Sequence, residues 1–351
     1  YYYKSIQSFN IMRNLTLLFC LLINLALQAE SVEKAPFWLG ADISGTTMHE
    51  KHGRQLYNAK GEPRENTQLM KELGLNSIRL RVWVEPKDST CNKEDVLRMA
   101  LRAKQYGMPV MIDFHYSDWW ADPGQQNIPK SWAGLNYKKM KKALAKHTKE
   151  TLKLLKKHDI DVRWVQVGNE TTNGFLWPMG NIKENMEQYA GLTQAGYEAV
   201  KKVYPDAKVI IHLDCACDSK RYDRVFDGLQ KYGAQWDIIG VSIYPYWDIK
   251  AGHTKTADET LEKAIANINR MQRKYNCPTM VVETGVEKRK PEEGKIFISK
   301  LINACKTQTD GLCLGVYYWA PELERHYPLG AFMQDRPTAI MEAFTEAAGK
   351  K

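Results

Sequence analysis

From residue 38 onward the chain alternates short apolar runs with longer segments in which apolar residues recur every three or four positions. The short runs, rich in Val, Ile and aromatic residues, predict strands over 38–43, 77–82, 109–115, 162–168, 207–213, 237–243, 278–283 and 314–319. Between them, helical spacing predicts helices over 67–73, 93–105, 137–157, 185–203, 222–232, 257–274 and 294–306. Strands that alternate with helices pair in parallel. Eight such units, with no Gly/Ser/Pro-rich divider, predict an α/β fold of one closed (β/α)8 TIM barrel. An open doubly wound sheet is the competing arrangement, but no Gly-rich phosphate loop follows the first strand.

Barrels keep their chemistry at the C-terminal ends of the strands. Each predicted strand ends on a polar or aromatic group: Asp42, Arg79 and Arg81, Asp113 and His115, Asn169 and Glu170, His212 and Asp214, Ser242 and Tyr244, Glu283, and Trp319. Glu170 closes the Val- and Trp-rich run Arg163–Gly168, and Glu283 closes Pro278–Val282. A carboxylate at one strand end is as readily a solvated or ion-paired surface residue as a catalyst. Two in one barrel are the minimum equipment of a retaining glycosidase, which needs them roughly 5–5.5 Å apart. The loops 115–126 and 173–180 add aromatic rings beside amides and carboxylates, including Asp118, Trp120, Asp122 and Trp177. Rings stack on the C–H faces of sugars while carboxylates and amides pair with hydroxyls, so this mixture suits an oligosaccharide groove. Trp83, Trp132, Trp247 and Trp319 sit at or beyond strand ends and are further binding candidates, whereas Trp164 and Trp236 are expected in the core.

A length of 351 residues and a hydrophobic fraction of 44% fit one large domain. Met12-Arg13-Asn14, the apolar run Leu15–Leu27 and Gln28-Ala29 have the form of a secretory signal, too short to span a membrane comfortably. Residues 1–29 are therefore expected to be an upstream extension and signal. Residues 30–351 are then the catalytic domain, exported to the periplasm, the cell surface or the medium. Of the formal charge of +9, Lys4 and Arg13 fall in residues 1–29, which carry no acid, so the remainder carries +7. A basic balance admits nucleic acid, an anionic membrane or an acidic polymer as partner. The densest basic stretch, 138–157, however, has its apolar residues at helical spacing, which makes its lysines a solvated helix face. No nucleic-acid partner or membrane span is expected, and the chain is read as a monomer. Cys20 leaves with the signal, and the six remaining cysteines permit disulfides whose pairing the sequence does not fix. Cys277 and Cys313 open strands as buried thiols or as one bridge. Cys215-Ala216-Cys217 resembles half of a metal site, but no second close pair accompanies it, and non-metal roles are favoured.

Taken together, G-A-D-I-S (40–44), R-L-R-V-W-V (79–84), D-F-H-Y-S-D-W-W-A-D-P (113–123), V-G-N-E (167–170), L-W-P-M-G (176–180), H-L-D (212–214), S-I-Y-P-Y-W (242–247), V-V-E-T (281–284) and V-Y-Y-W (316–319) resemble the endo-β-1,4-galactanases of glycoside hydrolase family 53. The resemblance runs from about residue 37 to the C-terminus. It implies cleavage of galactan and type I arabinogalactan, Glu170 as acid/base, Glu283 as nucleophile, and no metal or organic cofactor. Physically, the nucleophile needs positive charge and donors, which Arg79 or Arg81 and the Tyr244 hydroxyl can supply. The acid needs burial and a neighbouring carboxylate. Asn169 is expected on the substrate 2-hydroxyl, and Asp42, His115, His212, Asp214 and Trp247 complete the binding set. The chain departs from the family at Gly285-Val286-Glu287-Lys288, at Ala320, and in short loops after the seventh and eighth strands. The outer subsites, and the calcium site of some bacterial relatives, are thus not carried over. The alternatives are a related barrel hydrolase of mannan, cellulose or xylan, a non-catalytic polysaccharide-binding barrel, and a polyanion binder resting on the +7 charge.

Overall fold

The eight apolar runs become parallel strands β1 (Trp38–Asp42), β2 (Ser77–Val82), β3 (Val110–Phe114), β4 (Val162–Val167), β5 (Lys208–Leu213), β6 (Ile238–Ile243), β7 (Thr279–Thr284) and β8 (Cys313–Trp319). They pair in sequence order and close into a barrel where β8 meets β1, with Trp38 opposite Gly315 and Asp42 opposite Trp319. This computed structural model describes residues 36–324 and 327–350. The signal expected over residues 1–29 lies outside the described residues.

The helices are α1 (Thr46–Lys51), α2 (Asn66–Glu72), α3 (Lys93–Gln105), α4 (Tyr137–Lys157), α5 (Ile182–Val203), α6 (Ser219–Lys231), α7 (Pro245–Lys250), α8 (Ala257–Tyr275), α9 (Pro291–Thr307) and α10 (Ala339–Ala347). Their starts follow local chemistry. Asn92, Asn136 and Thr256 each accept a backbone N–H three residues on, satisfying donors that the first helical turn leaves open. Met140, Leu144, Leu152 and Leu155 of α4 are buried, while Lys138, Lys142, Lys146 and Lys153 are exposed, so the basic stretch is the outer face of an amphipathic helix. Among the described residues no helix is long and apolar enough to cross a membrane.

Alternation along the strands fills the barrel in layers. Met111, Trp164, Ile210, Ile238, Met280, Val282 and Tyr317 form an apolar layer, with Trp38 and Leu314 packed against it. Gly40 belongs to this packing, because a Cβ there would sit 2.2 Å from the Tyr317 ring. Two residues further along the same strands the interior turns polar: Asp113 follows Met111, Gln166 follows Trp164 and His212 follows Ile210, all buried. The barrel therefore rests on a hydrophobic floor and presents a charged upper storey.

Candidate active site

Arg79 is the hub of the upper storey. Its side chain is fully buried and its donors are spread over four strands. Nε donates to Gln166 Oε1 at 2.6 Å, and Nη1 donates to Asp42 Oδ2 at 2.7 Å. Nη2 faces Asp113 Oδ2 at 2.9 Å, Asn169 Oδ1 at 2.9 Å and Glu283 Oε1 at 2.8 Å. A buried guanidinium persists only when its charge and donors are matched, and these partners match them. His115 Nδ1 accepts from the Ala121 N–H, which leaves Nε2–H to donate to Asp113 at 3.0 Å. Burial alone would raise the Asp113 carboxyl, but Arg79 and His115 hold it down to about 2.

Glu283 reaches this hub through an irregularity. Met280 and Val282 both point into the floor, so strict alternation would send residue 283 outward. Against β6, however, Val241 pairs with Val281 and the next residue, Ser242, pairs with Glu283. The extra residue is a bulge that re-aims the carboxylate inward. There the Tyr244 hydroxyl donates to Oε2 at 3.0 Å and Arg79 lies on Oε1. Burial raises the Glu283 carboxyl to about 7, with Arg79 and Tyr244 opposing the rise.

Among the described residues no cation is paired with Glu170. It follows Gly168, which has φ +92°, and itself adopts φ +44°, a left-handed conformation costly for a residue with a Cβ. Tyr116, Cys215 and Ala320, just past β3, β5 and β8, share that conformation, so strain gathers at this rim. Its carboxylate Oε1 accepts from Ser242 Oγ at 2.7 Å. His212 Nε2 lies 2.8 Å from the same Ser242 oxygen, and its Nδ1 lies 3.0 Å from both Gln166 Nε2 and Asn169 Oδ1. Burial, then the nearby Glu283 and Asp214 charges, push the Glu170 carboxyl well above its ordinary value. The two carboxyls thus sit in unlike fields, Glu283 beside a guanidinium and Glu170 beside a hydroxyl and other carboxylates. They line one cleft of about 520 Å3 at the C-terminal mouth of the barrel.

Around that cleft the sequence-expected residues take different places. Trp120, Asp122, Asn169, Asp214, Tyr244, Trp247 and Trp319 line it. Asp42, Arg79, His115 and His212 lie buried beneath, holding the layer above. Of the two arginines considered for Glu283, Arg79 takes the role. Arg81 instead lies 3.8 Å over the Trp120 ring and 4.5 Å over Trp83. Asp118 accepts the backbone N–H groups of Glu85 and Lys130 and so ties down its own loop. Trp177, half-buried and donating to the Asn173 carbonyl, stands away from the cleft lining. Trp83 and Trp132 are core residues, 3% and 7% exposed, because Trp119 and Trp120 pack on Trp83, and Tyr116 and His147 pack on Trp132. Trp236, expected inside, is half-buried on the outer layer between Phe226 and Tyr275. Tyr327, Arg221 and His253 also line the cleft although sequence reasoning passed over them. Only Tyr327, an aromatic preceding Pro328 in the last loop, carried a signal of the kind used for the others. Its ring meets Trp319 at 4.9 Å, extending the wall that Trp120 and Trp319 form.

Residues 38–336 match the sequence profile described as Glycosyl hydrolase family 53. A probable arabinogalactan endo-beta-1,4-galactanase A of Aspergillus tubingensis is 32% identical over 319 residues, covering 84% of this chain and 88% of that protein. Among solved structures, a fungal beta-1,4-galactanase superposes with a TM-score of 0.80 at 27% identity, covering 88% of this chain and 98% of its own. The family 53 catalytic domain of Ignisphaera aggregans superposes with a TM-score of 0.79 at 30% identity, covering 90% and 98%.

Proposed function

The chain belongs to glycosyl hydrolase family 53, and from that premise we propose that it is an endo-acting retaining enzyme cleaving β-1,4-galactosidic bonds in galactan and type I arabinogalactan. One observation carries the division of labour: Glu283 is paired with Arg79 and Tyr244, whereas among the described residues the Glu170 carboxyl is hydrogen-bonded by the neutral Ser242 hydroxyl. Glu283, the more easily ionised, attacks the anomeric carbon, while Glu170 gives its proton to the departing glycosidic oxygen. Glu170, now a carboxylate, then takes a proton from water, which displaces Glu283 and restores the original configuration. Asn169 donates one amide hydrogen to the Ala121 carbonyl and can give its second to the sugar 2-hydroxyl. The wall of Trp120, Trp319 and Tyr327 offers stacking faces for galactose rings.

Release of reducing ends across galactan, arabinogalactan, mannan and xylan tests the substrate. Galactan is expected to be cut fastest, and equal rates on mannan or xylan would sink the assignment. Roles are tested in the same assay. Glu283→Ala should abolish turnover on every substrate, with azide restoring some activity through inverted products. Glu170→Ala should lose galactan cleavage yet spare the first step on an aryl galactoside whose leaving group needs no proton, with azide giving retained products. Identical behaviour of the two variants would overturn the division.

A further inference from the structure

Beside the cleft, and outside the reaction just described, lies a second cluster of groups. β5 ends at Leu213, and the chain turns through Asp214, Cys215, Ala216 and Cys217 before entering α6. Cys215 takes φ +51°, and its Sγ lies 3.4 Å from the Cys217 Sγ. From the next β/α unit, α7 brings Asp248, 4% exposed, so that the two sulfurs and a carboxylate oxygen all lie within 4.8 Å of one another. The Asp248 carboxylate is buried, and the groups set against it are the thiols of Cys215 and Cys217. A buried carboxylate met only by weak thiol donors is better matched by a cation held between it and the two sulfurs.

The turn is held from both sides. The Ala216 N–H donates to the Ser242 carbonyl at 3.1 Å, Asn267 Nδ2 donates to the Ala216 carbonyl at 2.9 Å, and the Asp218 N–H donates to the Cys215 carbonyl at 3.0 Å. Such outer contacts fix the ligand atoms before a ligand arrives. Cys215, Asp248 and His253 face the cleft, so a fourth coordination position opens toward solvent.

We propose that Cys215, Cys217 and Asp248 bind a thiophilic divalent cation of the zinc class. Two thiolates and one carboxylate suit a tetrahedral ion whose remaining position holds water, and hard cations such as calcium prefer an all-oxygen set. Binding displaces one proton from each thiol and leaves every other bond intact. The ion joins the turn after β5, which carries Asp214, to α7, which Tyr244 precedes and which carries Trp247. It is therefore a clamp on one wall of the cleft and not a participant in bond cleavage. The C-x-C spacing by itself was only half a site, and the third ligand comes from thirty-one residues downstream.

The test uses the full chain, reduced with a phosphine and freed of metal. Zinc titration should show one equivalent bound. Cobalt should give the near-ultraviolet band of thiolate-to-cobalt charge transfer. Cys217→Ser should weaken zinc binding by roughly 100-fold and erase that band. Zinc should raise the thermal midpoint by a few degrees in the parent chain and not in the variant. A measurement on the unaltered chain stands beside these: zinc should protect Cys215 and Cys217 from alkylation and leave the reactivity of Cys91 and Cys277 unchanged. No bound zinc in the reduced chain, a cobalt spectrum indifferent to Cys217→Ser, or protection spread over all thiols would overturn the proposal.

Discussion

One guanidinium decides how the two glutamates differ. Arg79 faces Asp42, Asp113 and Glu283, and because the first two keep it oriented, it meets Glu283 with no reorganisation when the carboxylate ionises. Tyr244 adds the second donor to that carboxylate. In Tyr244→Phe the phenol donor is lost, so the ionised form of Glu283 is less stabilised and its pKa rises further. The acidic limb of kcat/KM, governed by Glu283 near pH 7, should therefore move to higher pH. A hydrogen bond to a charged group is worth about 1.5–3 kcal/mol, so the rate should fall roughly 10- to 100-fold. A pH–rate profile checks this, and an acidic limb that stayed in place while the rate fell would show that Tyr244 acts on substrate binding and not on the nucleophile. The alkaline limb belongs to Glu170, whose carboxyl is raised by burial and by its charged neighbours. It should be unmoved in Tyr244→Phe.

Strands and floor form one mechanical unit, and Gly40 shows how tightly it is fitted. Gly40→Ala would drive a methyl into the Tyr317 ring, whose hydroxyl donates to Ser77 Oγ at 2.8 Å and so cannot swing freely. The cost should be about 1–3 kcal/mol, read from urea unfolding. In Gly40→Ala/Tyr317→Ala the two losses should be less than additive, since the second substitution vacates the space the first needs. Additive losses would mean that the contact is not the source of the strain. The strands were legible in the sequence because a closed parallel barrel buries both faces, so each strand reads as an apolar run whose length matches its span. Helix starts were less legible: α6 begins at Ser219 and not at 222, because Asp218 caps it, whereas in α5 a kink at Asn185, φ −135°, sets a short first turn capped by Asn181 apart from the long helix expected from 185. Six-residue helices such as α1 and α7 are too short to display a period. At the site, the residue types at the strand tips were readable. The bulge at Val282 and the division of Arg79 from Arg81 were not, since each depends on register between strands distant in the chain. Trp83 and Trp132 were misplaced for the same reason: a ring past a strand end is exposed only if nothing distant in the chain packs on it, and Trp119 and Trp120 pack on Trp83 while Tyr116 and His147 pack on Trp132.

At the scale of the whole molecule, the barrel concentrates its electrostatic cost at one end. The lysines of α4 are spread over an outer helix face, where charge is cheaply solvated, while the mouth holds two carboxyls whose ionisation is opposed by burial. Such a site is held against the folded state's own preference, and stability should report it. A carboxyl with a folded pKa above its unfolded value of 4.5 binds its proton more tightly in the native protein. The stability this provides is complete below about pH 4.5 and is lost as pH rises through the raised folded value. Glu283 contributes loss up to about 7, and Glu170 continues it to higher pH. In Glu170→Gln the amide keeps an oxygen for the Ser242 hydroxyl and never ionises, which also relieves Glu283 of a like charge. The variant should therefore melt with the parent near pH 4.5 and progressively above it as pH is raised through neutrality, the gap reaching several degrees. Scanning calorimetry of both proteins across that range is the measurement. A gap of constant size at every pH would assign the change to packing, and a variant less stable at neutral pH would mean that ionised Glu170 is favourably paired in the native protein. The widening gap would mark Glu170 as a group retained for chemistry at the expense of stability, as expected of an acid kept protonated near neutrality.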